Sequence, residues 1–320
     1  MARTKRRKTT AKHKISSVKD FHARRIKKEG KTLFLLALVF ILIIIYFGIS
    51  FLTKGQSESK IYKTSVSIPL TKFTPKRMSL ITPYPSITIT PTPVPLVGYC
   101  LRVPILTYHH IQPEETAKEL KQTSLNVDSG VFDQQMAYLA AGGYTPIWAN
   151  ELVDALRNHT GLVGKPVMVT MDDGYADNYI YALPVLRKYN IKANLMLASG
   201  LVGSNSDMLS WDEISQMKAS GLVYFTNHTW SHYPITNGPQ SKIENEIDTA
   251  QAQIQQYTGQ IVNIFTYPYG SFNNNAIQTL ERKGYLGAFT TIPGAYQCDS
   301  FIMTLHRYRI GNSSLASYGL

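Results

Sequence analysis

From residue 99 onward the chain alternates short apolar runs with amphipathic blocks. The runs at 103–108 (VPILTY), 144–148 (YTPIW), 166–171 (PVMVTM) and 192–197 (KANLML) read as strands. So do those at 222–227 (LVYFTN), 263–267 (NIFTY), 287–291 (GAFTT) and 306–310 (HRYRI). Helices fit between them. DQQMAYLAAGG ends on glycines, ANELVDALRN is amphipathic, and DNYIYALPVLRKYN carries a proline inside it. In SWDEISQMKASG, Ser210 stands as N-cap with Glu213 three residues on, the pattern of a capping box. SKIENEIDTAQAQIQQYTG and NNNAIQTLERKG both stop at glycine, the second helix starting around Ala276. Regular β–α alternation with apolar strands predicts an α/β fold, a parallel sheet covered by helices. Seven or eight repeats favour a distorted (β/α) barrel of about seven parallel strands. Such barrels place their chemistry at the C-terminal ends of the strands.

The pattern before residue 99 is different. Twenty uncharged residues, Leu33 to Leu52, follow a tail (1–32) with 13 Lys/Arg against 2 Asp/Glu. At ~1.5 Å per residue they span a ~30 Å hydrocarbon core. The apolar core of a cleaved signal peptide is typically shorter, ~7–15 residues, so an uncleaved anchor over 33–53 is expected. The positive-inside rule puts the tail in the cytoplasm and the rest outside. The chain is thus expected at the cell membrane as a single-pass protein. Residues 54–98, rich in Pro, Ser and Thr, form an extended linker to a domain over 99–320. The net charge of +12 belongs almost wholly to the tail; the other residues carry 20 Lys/Arg and 19 Asp/Glu. No basic stripe for nucleic acid is indicated in the main domain. Cys100 and Cys298 stand near the two ends of that domain. Outside the cytoplasm a bridge between them is permitted, and two unrelated buried thiols are equally readable.

Titratable residues collect at the C-terminal ends of the strand-like runs. After PVMVTM come Asp172 and Asp173, then Gly174. After LVYFTN come His228 and His232, four apart. After VPILTY come His109 and His110, and after NIFTY comes Pro268-Tyr269-Gly270. Two histidines plus one carboxylate, Asp173 or Asp172, make a three-ligand set that leaves room for water and substrate. That is the arrangement of a catalytic rather than a structural metal.

TMDDG, HTWSH and YPYG resemble the first three motifs of the polysaccharide deacetylase family, also called the NodB-homology domain or carbohydrate esterase family 4. VPILTYHHI resembles the opening strand of its exopolysaccharide, poly-N-acetylglucosamine deacetylase-like branch. The resemblance implies that Asp173, His228 and His232 bind a divalent metal, commonly Zn2+, with Co2+, Ni2+ or Mn2+ as alternatives. It implies Asp172 as general base, the Tyr269 backbone N–H as oxyanion donor, and a histidine as acid for the departing amine. In the branch with the TYHH opening that histidine is His109, with His110 and His306 as alternatives. The family usually carries an Arg shortly before the Pro-Tyr. Here Phe265-Thr266-Tyr267 precede it, so Arg307 or Arg309 would have to orient the base. Trp230, Tyr267 and His110 are candidate substrate contacts. The implied activity is hydrolysis of N-acetyl groups on an N-acetylglucosamine-containing polysaccharide. An O-acetyl esterase and a silent glycan-binding relative are the competing readings.

Overall fold

The structure, a computed structural model, describes residues 97–320. The basic tail, the apolar run at 33–53 and nearly all of the linker lie outside the described residues. Among the described residues no helix is long and apolar enough to cross a membrane.

In chain order the elements are β1 (Cys100–Arg102), β2 (Ile105–Tyr108), β3 (His110–Ile111), α1 (Glu114–Glu119), β4 (Asn126–Val127) and α2 (Ser129–Ala141). Then come β5 (Tyr144–Pro146), α3 (Ala149–Asn158), β6 (Lys165–Asp173), α4 (Leu183–Tyr189), β7 (Ala193–Leu197), α5 (Trp211–Ala219) and β8 (Val223–Asn227). Last are α6 (Gln240–Thr258), β9 (Ile264–Thr266), α7 (Asn274–Arg282), β10 (Gly287–Phe289), β11 (Tyr296–Cys298) and β12 (Tyr308–Arg309).

All eight expected strands form. Seven lie in one parallel path, β10-β9-β8-β7-β6-β2-β12, and β5 pairs with the start of β6. The path bends back on itself. Tyr308 and Arg309 pair with Leu106 and Thr107, while Leu305, just upstream, makes a single parallel bridge to Phe289 of β10. The two ends therefore meet through one residue pair rather than a full ladder. The β8–β9 seam is equally thin, a single pair of Asn227 with Phe265. Such a barrel is distorted because its strands are only two to nine residues long.

Alternation along β6 divides its side chains. Val167, Val169 and Met171 join the apolar layer under the helices, with Leu139, Leu186, Leu195 and Phe225. Met168 joins the inner cluster with Ile105, Met196, Ile264, Phe289 and Leu305. Asp172 shares the inward parity of Met168 and Thr170.

The helix signals hold with two adjustments. Ser210 and Glu213 form the reciprocal capping box, and α6 ends at Gly259 in the left-handed region, φ 64°. Pro184 does not break a helix. A π-turn over Asn178–Ala182 precedes α4, and the proline falls in its first turn, where no N–H is needed. α7 begins at Asn274, earlier than Ala276, because the Asn273 side chain caps it by accepting the Ala276 N–H at 2.8 Å. Four short strands and α1 carry too few residues for periodicity to reveal them.

Cys100 and Cys298 form a disulfide across the antiparallel β1–β11 pair, directly opposite in register. It closes a loop of 198 residues in sequence separation. On the chain-entropy account a loop of this length is worth on the order of 4–5 kcal/mol. Cys100→Ser/Cys298→Ser is therefore expected to lower Tm by about 8–20 °C for a domain of this size. Calorimetry of the variant beside the oxidised protein checks this; an unchanged Tm would remove the bridge from the stabilising contacts.

Candidate active site

β6 ends in two carboxylates whose backbones differ. Asp172 keeps strand geometry and points inward. Asp173 has φ 73° and Gly174 φ 96°, so the chain turns at the second aspartate itself. Without that turn, alternation would send Asp173 to the opposite face. A Cβ at Gly174 would meet the Leu197 side chain at 2.6 Å, so the residue after the pair has to be glycine.

Asp173 Oδ1 lies 3.4 Å from Nε2 of both His228 and His232. The His228 Nδ1–H donates to the Thr266 carbonyl at 2.7 Å. That bond puts a proton on Nδ1 and turns Nε2 toward Asp173. Burial opposes charge on Asp173, but the neighbouring imidazoles outweigh it and hold the carboxyl well below its usual range. Burial, then the nearby His228, push His232 down to about 4, so it is neutral at neutral pH. Asp173 Oδ1 is buried and has no hydrogen-bond partner among the described residues. Three donor atoms within 4.8 Å of one another, one of them an orphaned carboxylate oxygen, fit a divalent cation.

The histidine turn departs from a helix. Thr229 has φ 63° and His232 φ 59°. Asn227 Oδ1 accepts the Thr229 N–H at 2.8 Å, and Glu246 of α6 accepts both the N–H and the hydroxyl of Ser231. The i,i+4 spacing brings the two rings to 4.8 Å, but through this braced turn and not through a helical face.

Asp172 is gripped by Arg307. Nη1 donates to Oδ1 at 2.7 Å and Nη2 to Oδ2 at 2.8 Å. Both residues are buried, at 3% and 2% exposure. The guanidinium is itself tied by Nε to the Thr290 carbonyl and by Nη1 to the Thr170 hydroxyl. Burial works against the Asp172 charge, and Arg307 overcomes it, so its pKa is lowered. Arg309, the other candidate, is exposed and donates to the Ser124 carbonyl.

His109 sits next to this assembly. Burial lowers its pKa, partly offset by the Asp172 and Asp173 charges, and Arg307 and His228 lower it further. His306 instead stacks on Phe301 and lies against Gly294. Tyr269, at φ 60° and 70% exposed, sets its ring edge-on to His232 at 4.5 Å. Trp230, 40% exposed, lies over Gly200, where a Cβ would strike the indole at 2.6 Å.

Two expected substrate contacts lie elsewhere. Tyr267 is fully buried, packed edge-to-face on Phe265 and beside Phe272. His110 is buried as well, with Nδ1 2.6 Å from Asp177 and its ring stacked on Tyr175 at 3.7 Å. Tyr267 shares the parity of Phe265 and packs in the same apolar cluster, and His110 lies on β3, outside the main sheet. Tyr175, Asp177, Asn178 and Glu246 were not legible as site residues.

The family model for polysaccharide deacetylase matches residues 160–288. That span contains Asp172, Asp173, His228, His232 and Tyr269 and leaves His109 and Arg307 outside. YxkH of Bacillus subtilis (strain 168), which carries the name of a polysaccharide deacetylase, is 29% identical over 65% of this chain and 71% of that protein. A poly-beta-1,6-N-acetyl-D-glucosamine N-deacetylase of Escherichia coli (strain K12) is 25% identical over 61% of this chain, which spans about a third (35%) of that protein's length. Among solved structures, the Streptococcus pyogenes deacetylase PplD matches with TM-score 0.63 and 27% identity, over 68% of this chain and 98% of that one. IcaB from Ammonifex degensii matches with TM-score 0.59 and 26% identity, over 68% and 94%. With the motif residues gathered at one pole of the barrel and these likenesses spanning it, the stretch 160–288 is a polysaccharide deacetylase domain of the NodB-homology or carbohydrate esterase family 4 type.

Proposed function

We propose that this enzyme removes N-acetyl groups from N-acetylglucosamine units of a polysaccharide outside the cell membrane, and that it depends on a divalent metal, Zn2+ by preference. The observation that carries the reading is the Asp173–His228–His232 cluster beside the buried Asp172–Arg307 pair. Two imidazoles and a carboxylate suit zinc, which takes N and O ligands in a three-residue catalytic set. The poly-N-acetylglucosamine deacetylases among the relatives favour an amide substrate of that class. The Cys100–Cys298 bridge favours an oxidising compartment, in keeping with an anchor at 33–53 and an outward-facing domain.

A bound cation supplies Lewis-acid polarisation of the acetyl carbonyl and acidifies water toward neutral pH. The chain's own residues do the rest. Asp172 takes the proton of the attacking water. Arg307 holds it ionised and fixes its plane, and each oxygen retains a lone pair beyond the guanidinium bond. The Tyr269 backbone N–H, on the left-handed turn after β9, faces the developing oxyanion. His109 donates a proton to the amine, which leaves poorly unless protonated. Trp230 at the rim offers an apolar face to a sugar ring.

Three outcomes test this. Chelation should abolish release of acetate from N-acetylglucosamine oligomers, with Zn2+ restoring it, and His228→Ala should purify without metal; full metal content in that variant would take His228 out of the ligand set. Asp172→Asn should keep the metal while losing about 10²–10⁴-fold in turnover, the usual share of a general base. Full activity would sink that role, and preference for acetylated xylan over the oligomers would move the reading to an O-acetyl esterase. Arg307→Met strands a buried carboxylate and should cost about 3–5 kcal/mol in urea unfolding. Adding Asp172→Asn should recover part of that loss, whereas additive losses would mean the two side chains are not coupled.

A further inference from the structure

His110 and Asp177 are buried, in contact, and have no part in the chemistry assigned above. Their surroundings show what they hold. β2 ends at Tyr108, and β3 pairs only with the two-residue β4, outside the main sheet. His109 thus stands on a bend between two strands with no barrel ladder of its own. The loop after β6 supplies the missing anchors. Asp177 Oδ2 takes His110 Nδ1 at 2.6 Å, and its Oδ1 accepts the Ile111 N–H at 3.2 Å. Asn178 Nδ2 donates to the His109 carbonyl at 2.8 Å and to Asp177 Oδ1 at 2.8 Å. Tyr175 stacks on His110 at 3.7 Å. Residues 109, 110 and 111 are each fastened, by peptide or side chain, to one stretch of four residues, 175–178. A π-turn begins at Asn178 and delivers these side chains.

We propose that Asp177, acting through His110 and with Asn178, is a positioning residue that sets His109 over the reacting centre. The same loop carries Asp172 and Asp173 at its start and the clamp at its end. The distance between base and acid is therefore fixed within one short segment rather than across the barrel. The proposal rests on the reading of His109 as the acid.

Protonation of the leaving group matters for an amine and little for an aryl oxide. The test compares N-acetylglucosamine oligomers with 4-nitrophenyl acetate on the full-length protein with its metal bound. Asp177→Asn should lower kcat on the oligomers by about 10²-fold, the cost of a small misplacement of a catalytic group. It should change the aryl acetate rate by less than about threefold, with KM, metal content and Tm near those of the parent. His109→Ala should show the same split, larger. Asn178→Ala, which removes only the peptide anchor and its bond to Asp177, should show it in smaller measure and serves if Asp177→Asn folds poorly. Equal losses on both substrates in Asp177→Asn and Asn178→Ala would make the clamp merely structural and overturn the proposal. So would unchanged oligomer turnover in both variants while His109→Ala splits the substrates. If His109→Ala itself shows no split, the acid assignment fails instead, and the two failures are told apart.

Discussion

The buried pair between Asp172 and Arg307 ties the fold to the chemistry. Arg307 belongs to the last strand segment, between Leu305, which bridges β10, and Tyr308, which pairs with β2. It therefore stands where the two ends of the sheet path meet. Asp172 stands near the middle of that path, on β6. Four guanidinium hydrogen bonds, two to the carboxylate and one each to Thr290 and Thr170, run across the inside of the barrel. A buried charge of either sign alone would be expensive. As a pair they persist only if the last strand closes correctly, so the seam that looks weakest by ladder count is held by an ion pair at its centre.

Around that pair the backbone is held in conformations that most residues avoid. Seven described non-glycine residues have positive φ. His159 and Asn190 are helix C-caps, and Lys121 lies just past α1. The other four, Asp173, Thr229, His232 and Tyr269, gather at the site. Each costs of order 1–3 kcal/mol, and such residues persist only where their surroundings over-determine them. Here the surroundings are identifiable: Asn227 and Glu246 brace the histidine turn, and Gly270, whose Cβ would meet the Thr291 backbone N at 2.7 Å, lets the Tyr269 turn pack closely. The left-handed turn at Asp173 is what lets two adjacent aspartates face one centre.

Much of this was legible in the sequence, for a physical reason. Strands with apolar runs of four or more residues, and helices with caps such as Ser210–Glu213, carry local signals that packing reinforces. The Asp173–His228–His232 cluster was readable because its residues stand at strand ends, where a parallel fold collects them. Arg307 was readable only by default, as a charge needed by Asp172 and absent before Pro268. His110 and Tyr267 misled. A polar residue beside a candidate catalytic one looks like a substrate contact in one dimension, but in the fold Tyr267 packs under the helices and His110 against Tyr175 and Asp177. Asp177 and Glu246 stayed hidden because a buried carboxylate that braces a loop has the same sequence signature as an exposed one. The disulfide could not be decided because its register depends on β1 and β11, three residues each, which no pattern predicts.

The distribution of the site along the chain explains one further feature. The Asp173–His228–His232 cluster and Asp172 lie within residues 160–288, the span that the family model matches, while His109 and Arg307 come from outside it, one from each end of the domain. These two must arrive at the same centre although 198 residues separate them. The fold achieves this by pairing their own strands: β2 carries His109 at its end, β12 follows Arg307, and the two are neighbours in the sheet. The β1–β11 pair with its disulfide fastens the chain just before β2 to the chain just before Arg307. His109 and Arg307 thus enter as one two-stranded unit docked against β6. The order of residues along the chain then matters little, provided that this unit is closed.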